Sequence, residues 1–129
     1  MLANVREMGD VISQLLTQRI AGHPHVGNIR GRGLFWGIEF VADKHSATPF
    51  PVSRHVAMEI SELGLHEKYS LAVYPGSGTV DGVNGDHIIL SPPYNVTRAE
   101  VESMVDAIRR LINDYFSMHA QVIHAGAKL

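Results

Sequence analysis

No cysteine occurs among the 129 residues. That excludes disulfides, a thiol nucleophile and a thiolate metal site, and it leaves the compartment unfixed by redox logic; a cytoplasmic location is the expectation. Long apolar runs are missing as well. None approaches the roughly 20 residues of a membrane span, and the N-terminus lacks the basic-then-apolar pattern of a signal peptide. Excess charge of either sign is absent: the net charge is −2, with Arg and Lys scattered. Nothing forms the basic stripe of a nucleic-acid binder. Neither nucleic acid nor a membrane is therefore expected as a partner. Repeats and low-complexity segments are also lacking.

What is present suits one packed domain. The apolar fraction is 45% and the charged fraction 19%, enough for a core and too apolar for wholesale disorder. Residues 2–20 have the spacing of an amphipathic helix, with Val5, Met8, Ile12, Leu15, Leu16 and Ile20 on the buried side. Gly9 weakens it by roughly 1 kcal/mol relative to alanine, and Gly22 and Pro24 end it. No cap precedes it, which reads as a start inside a longer helix. Leu34 to Val41 alternates as a strand with apolar residues on both sides, so both of its faces are expected to be covered, with Glu39 at a polar edge or near a partner. A short extra strand near His25 to Ile29 is allowed. Asp43 to Pro51 is loop. Ser53 is placed to cap a second helix whose buried stripe is Val56, Ala57, Ile60 and Leu63, and Gly64 is placed for a left-handed stop. Leu71 to Tyr74 reads as a strand, residues 75–85 as a glycine-rich loop, and His87 to Leu90 as another strand. Thr97-Arg98-Ala99-Glu100 is a capping box, with Val96 and Val101 as its hydrophobic staple. The helix that follows holds one apolar face to Tyr115, and the tail 118–129 is expected to fray. The order predicts an α+β two-layer sandwich: a small, mostly antiparallel sheet of three or four strands with helices on one face.

Few residues form a constellation with chemistry in it. Gly31, Gly33 and Gly37 precede a strand, which does not fit a dinucleotide fingerprint; a tight turn with close packing is the preferred reading. Arg30 and Arg32 suit a carboxylate or phosphate, with a structural ion pair or an interdomain contact favoured. His23 and His25 lack a second cluster at ligand spacing, so no metal site is assigned. Asp86 and His87 are adjacent on a strand and face opposite ways, which spoils a dyad. Only three lysines exist: Lys44, Lys68 and Lys128. A Schiff-base amine needs a pocket that lowers its pKa. Lys44 lies in a polar loop, Lys68 follows a helix end and Lys128 adjoins the C-terminus, so each is read as a solvated charge. No catalytic or cofactor-binding residue is assigned. The loop 75–85 is the segment best suited to binding, since its glycines let a ligand approach the backbone.

Three segments resemble the C-terminal domain of class III, pyridoxal-phosphate-dependent aminotransferases of the omega-amino-acid and pyruvate type. They are Leu2 to Gly9, Val26 to Val41 with its Gly31-Arg32-Gly33-Leu34 strand entry, and Tyr74 to Tyr94 with its double proline Pro92-Pro93. The resemblance implies a fold-type-I small domain over residues 1–129, with 1–20 a remnant of the interdomain helix. It implies dimers that move an amino group from an amine donor to a keto acid, with pyridoxal 5'-phosphate held by a large domain that also supplies the reactive lysine. No position here matches that lysine, so the chain alone is expected to bind no cofactor and to be inactive. Many relatives carry a carboxylate-binding arginine where Tyr74 stands. Tyr74, Ser77 and Thr79 are therefore the candidates for substrate-side contacts. The alternatives are a stand-alone module that pairs with itself or with an aminotransferase large domain, and an unrelated α+β domain that senses a small ligand.

Overall fold

The structure is a computed structural model and describes residues 2–77 and 85–120. Helix α1 (Leu2–Arg19) is followed by a hairpin of β1 (Val26–Arg32) and β2 (Phe35–Phe40). A 3-10 turn (Val52–Arg54) leads into α2 (Val56–Gly64), then β3 (Tyr74–Ser77), β4 (Asp86–Leu90) and the long α3 (Arg98–Met118). The four strands form one sheet in the order β1-β2-β4-β3, antiparallel at every pairing. This is the expected α+β architecture, and the allowed extra strand near His25 is β1.

Register sorts the strand residues onto two faces. Ile29, Ile38, Ile88 and Pro75 lie side by side in one row, and Trp36 with Leu90 in another. Ile29, Ile38, Ile88, Trp36 and Leu90 meet a single core with Met8, Ile12, Leu15 and Leu16 of α1, Ile60 of α2 and Val101, Val105, Ile108 and Leu111 of α3. The opposite face carries Arg30, Gly37, Ile89 and Tyr74 in one row and Asn28, Glu39, His87 and Gly76 in the next. Every residue in these two outer rows is half-buried or exposed. The expectation of a largely covered strand holds from Trp36 to Val41, which are half-buried or buried; it fails at Phe35, 59% exposed just after the two-residue turn. Glu39 does have a partner, Arg30, at 3.5 Å.

The local signals resolve unevenly. The capping box at Thr97 forms in full, with the Thr97 hydroxyl accepting from the Glu100 N–H and the Glu100 carboxylate accepting from the Thr97 N–H. Val96 and Val101 are both buried beneath it. The turn between β1 and β2 rests on Gly33, whose φ of 57° favours glycine; the Trp36 indole N–H donates to the Gly33 carbonyl at 2.7 Å. The Trp36 ring lies across Gly31, where a Cβ would come within 2.2 Å.

Ser53 does not cap α2. It sits in the 3-10 turn, and His55, in the left-handed region at φ 50°, occupies the N-cap without a side-chain bond. Gly64 is not a left-handed stop either. It is buried inside the last turn of α2, where a Cβ would press on the Leu71 carbonyl at 3.0 Å and on Leu111 at 3.1 Å. The left-handed residue comes later, at Ser70 with φ 48°. The third strand is displaced from Leu71–Tyr74 to Tyr74–Ser77, because the pairing with β4 begins at Tyr74 opposite Ile89. Most of the glycine-rich loop (78–84) and the tail (121–129) lie outside the described residues.

Candidate functional site

The function-like end of the sheet is where β3 and β4 meet the N-terminus of α2. A cleft of about 130 Å³ opens there between His55, Ala57 and Met58 on one side and Gly76, Ser77 and Asp86 on the other. Asp86 starts β4 on the inner face and is buried, with 4% of its surface exposed. Its carboxylate accepts from the Ala57 N–H at 2.9 Å. A helix start leaves its first N–H groups unpaired. The capping residue His55 offers no side chain for them, so Asp86, 29 residues beyond Ala57, supplies the acceptor. Burial pushes the Asp86 carboxyl above its ordinary value, opposed by the Ala57 N–H and by the nearby His55 and His87. This carboxylate is the residue that sequence reasoning set aside. The missed signal was a helix start with no usable cap of its own.

Asp86 and His87 do face opposite ways. Asp86 pairs across from Ser77 on the inner face, while His87 lies over Gly76 on the outer face, where a Cβ at residue 76 would come within 2.3 Å of the imidazole. Of the substrate-side candidates, Tyr74 and Ser77 are not brought together. Ser77 lines the cleft, Tyr74 is 69% exposed and stands on the outer face opposite Ile89, and Thr79 lies outside the described residues. Arg30 is bound in the surface ion pair with Glu39. Arg32 closes β1 opposite Phe35 on the exposed rim.

The lysines bear on what chemistry is available. Lys44 Nζ donates to the carbonyls of Ala21 and His23 just beyond α1, the latter at 3.2 Å. Lys68 Nζ sits 2.9 Å from the Asp114 carboxylate, which holds the lysine above its ordinary value. Tyr69 donates to the same carboxylate. The Asp114 carboxylate favours the charged form of Lys68, the opposite of what a nucleophilic amine requires, and Lys44 is tied to two backbone carbonyls. Neither arrangement fits the anchoring of an aldehyde cofactor; Lys128 lies outside the described residues. Among the described residues no group of three or more His, Asp or Glu is placed to hold a metal ion, and no helix is long and apolar enough to cross a membrane.

No family model matches the chain. Comparison with individual proteins is more informative. An uncharacterized aminotransferase of Schizosaccharomyces pombe is 44% identical over 106 residues, which is 82% of this chain and 23% of that protein. The crystal structure of an omega-transferase from Vibrio fluvialis superimposes with a TM-score of 0.78 at 28% identity, over 92% of this chain and 26% of that one. A PMP-bound aminotransferase structure from the same organism gives a TM-score of 0.66 at 29% identity, over 89% of this chain and 23% of its own. The chain therefore spans about a quarter of the length of the relatives it matches.

Proposed function

The chain belongs to the class III aminotransferase family, as a small domain of such an enzyme, and on that premise we propose that it serves as a non-catalytic wall docked on a large domain that carries the cofactor. The observation that carries this reading is that Lys44 and Lys68 are each engaged within the chain, Lys44 by two backbone carbonyls and Lys68 by Asp114. In the assembled enzyme, pyridoxal phosphate on the large domain supplies the electron sink for moving an amino group from an amine donor to a keto acid. This chain contributes shape and contacts. Alone it binds no cofactor and turns over no substrate.

The docking end is argued from exposure. Leu2, Phe35 and Tyr94 are 75%, 59% and 60% exposed. The Asn4 side chain ties the start of α1 to the loop before α3 by donating to the carbonyls of Tyr94 and Val96. The middle of α1 meets the β1–β2 turn at Gly33. Large apolar side chains on elements fastened together in this way suit a protein partner better than water. Ser77, at the cleft, and Thr79 are proposed as substrate-side contacts. Tyr74, on the other face of β3, is proposed to meet the substrate from that side. The same apolar end supports a second reading, association of the chain with itself, and a cytoplasmic setting is proposed for either.

The test is complementation. A copy of the Schizosaccharomyces pombe relative lacking the matched region is co-expressed with this chain. Recovery of pyridoxal-phosphate-dependent transaminase activity in a co-purifying complex is expected. A chain that purifies only as its own oligomer, with no recovered activity, overturns the docking reading in favour of self-association.

A further inference from the structure

The segment between α1 and β1 holds two histidines that the aminotransferase reading does not use. Their hydrogen bonds fix their protonation. The His25 backbone N–H donates to His23 Nδ1 at 3.0 Å, so His23 Nδ1 carries no proton. His25 Nδ1 lies 2.9 Å from the Val41 carbonyl, which only accepts, so His25 Nδ1 carries one. Both rings pack on Phe116 near the end of α3: His25 is stacked at 4.5 Å between centroids and His23 tilted at 5.3 Å. Phe50 completes the cluster, 5.4 Å from His25 and 5.8 Å from Phe116.

We propose that His23 and His25 form a proton-operated clasp: with His23 neutral, the pair ties the entry of β1 to the end of α3, and protonation of His23 at Nδ1 releases the His25 amide and opens the groove that these histidines line with Lys44 and Phe116. Protonated, His23 Nδ1 would face a second donor, the His25 N–H, and that contact becomes repulsive. The surrounding charges push the same way. Burial, His25 and Lys44 all lower the His23 pKa from its ordinary value of 6.5. Lys44 is fixed on the His23 carbonyl. The loop after β2 also brings Asp43 to the groove, and α3 presents Asn113, Phe116, Ser117 and Ala120, none of them ionisable. Just past α1, which ends on Arg19, the Ala21 carbonyl accepts from Lys44.

The linkage has a definite sign. A histidine whose folded pKa is lowered adds stability that is fully present above the unfolded value, is lost as pH falls from 6.5 to the folded value, and changes no further below it. In that window the unfolding constant rises by up to about tenfold per pH unit. The experiment is an NMR pH titration of the full chain. The His23 ring is expected to titrate below 6.5, and the protection of the His25 amide, corrected for intrinsic exchange, is expected to fall with the same midpoint. His23→Asn keeps an acceptor at the Nδ1 position and does not titrate, so its His25 amide stays protected across the range. The idea is overturned by a His23 that titrates at or above the ordinary value with the His25 amide unaffected, or by equal acid loss in His23→Asn. The wild-type titration decides by itself if that variant does not fold.

Discussion

Gly9 of α1 sits directly against the Gly33 carbonyl of the β1–β2 turn, so closely that a Cβ on residue 9 would lie 2.6 Å from that oxygen. Two glycines, one buried in a helix and one at positive φ in a turn, set the distance between the helix layer and the tip of the hairpin.

Gly9→Ala is therefore expected to destabilise the chain even though alanine is the better helix former. The propensity gain is about 1 kcal/mol, whereas forcing a methyl group against backbone costs about 1–3 kcal/mol. Thermal unfolding of the two chains side by side checks it. A higher melting temperature for Gly9→Ala would mean that the helix and the turn separate freely.

Asp86 caps α2 across the sheet. Asp86→Ala leaves the buried Ala57 N–H without a partner and is expected to cost about 1–3 kcal/mol in denaturant unfolding. Asp86→Asn keeps an acceptor oxygen and is expected to lose less. Acid separates the wild type from Asp86→Asn. A carboxyl whose folded pKa is raised above 3.8 gains stability as pH falls from neutrality through the folded value toward the unfolded one. The wild type should gain on Asn over that range, and parallel pH profiles would remove the claim that Asp86 is buried with its charge at a cost.

Tyr115 links α3 to α2 by donating to the Glu59 carboxylate at 2.6 Å. Burial first, then Glu59, pushes its phenol above the ordinary value of 10.0. Only the unfolded chain ionises this phenol just above that value, so its contribution is present below pH 10 and fades as pH rises beyond it. Tyr115→Phe should cost about 1 kcal/mol near neutrality and lose less than the wild type in urea melts taken from pH 8 to pH 10.5. Equal alkaline losses would place Tyr115 in water.

The parts of this fold that were legible in the sequence are those decided within a few residues. Thr97 and Glu100 cap α3 with groups three positions apart, and the helical stripe on α3 needs only its own period. The alternation through Trp36, Ile38 and Phe40 gave the inner face of β2. What could not be read is decided across the chain. Asp86 replaces Ser53 as the cap of α2 from another strand. The third strand starts at Tyr74 because β4 offers Ile89 there, while the left-handed Ser70 keeps the preceding residues irregular. Gly64 and Gly9 look like helix defects until Leu71, Leu111 and Gly33 are seen against them. At the candidate site, period-two alternation puts Tyr74 and Ser77 on opposite faces once the strand is known to include both, and a reading of that segment as loop hides it.

The most direct measurement adds pyridoxal phosphate to the purified chain, follows absorbance, reduces with borohydride and locates any modified lysine by mass spectrometry, with an assay for alanine formed from an amine and pyruvate alongside. Because Lys44 and Lys68 are each already engaged by partners within the chain, no saturable one-to-one adduct and no alanine are expected. A stoichiometric adduct on one lysine, accompanied by turnover, would contradict the assignment of this chain as a wall without a reactive amine.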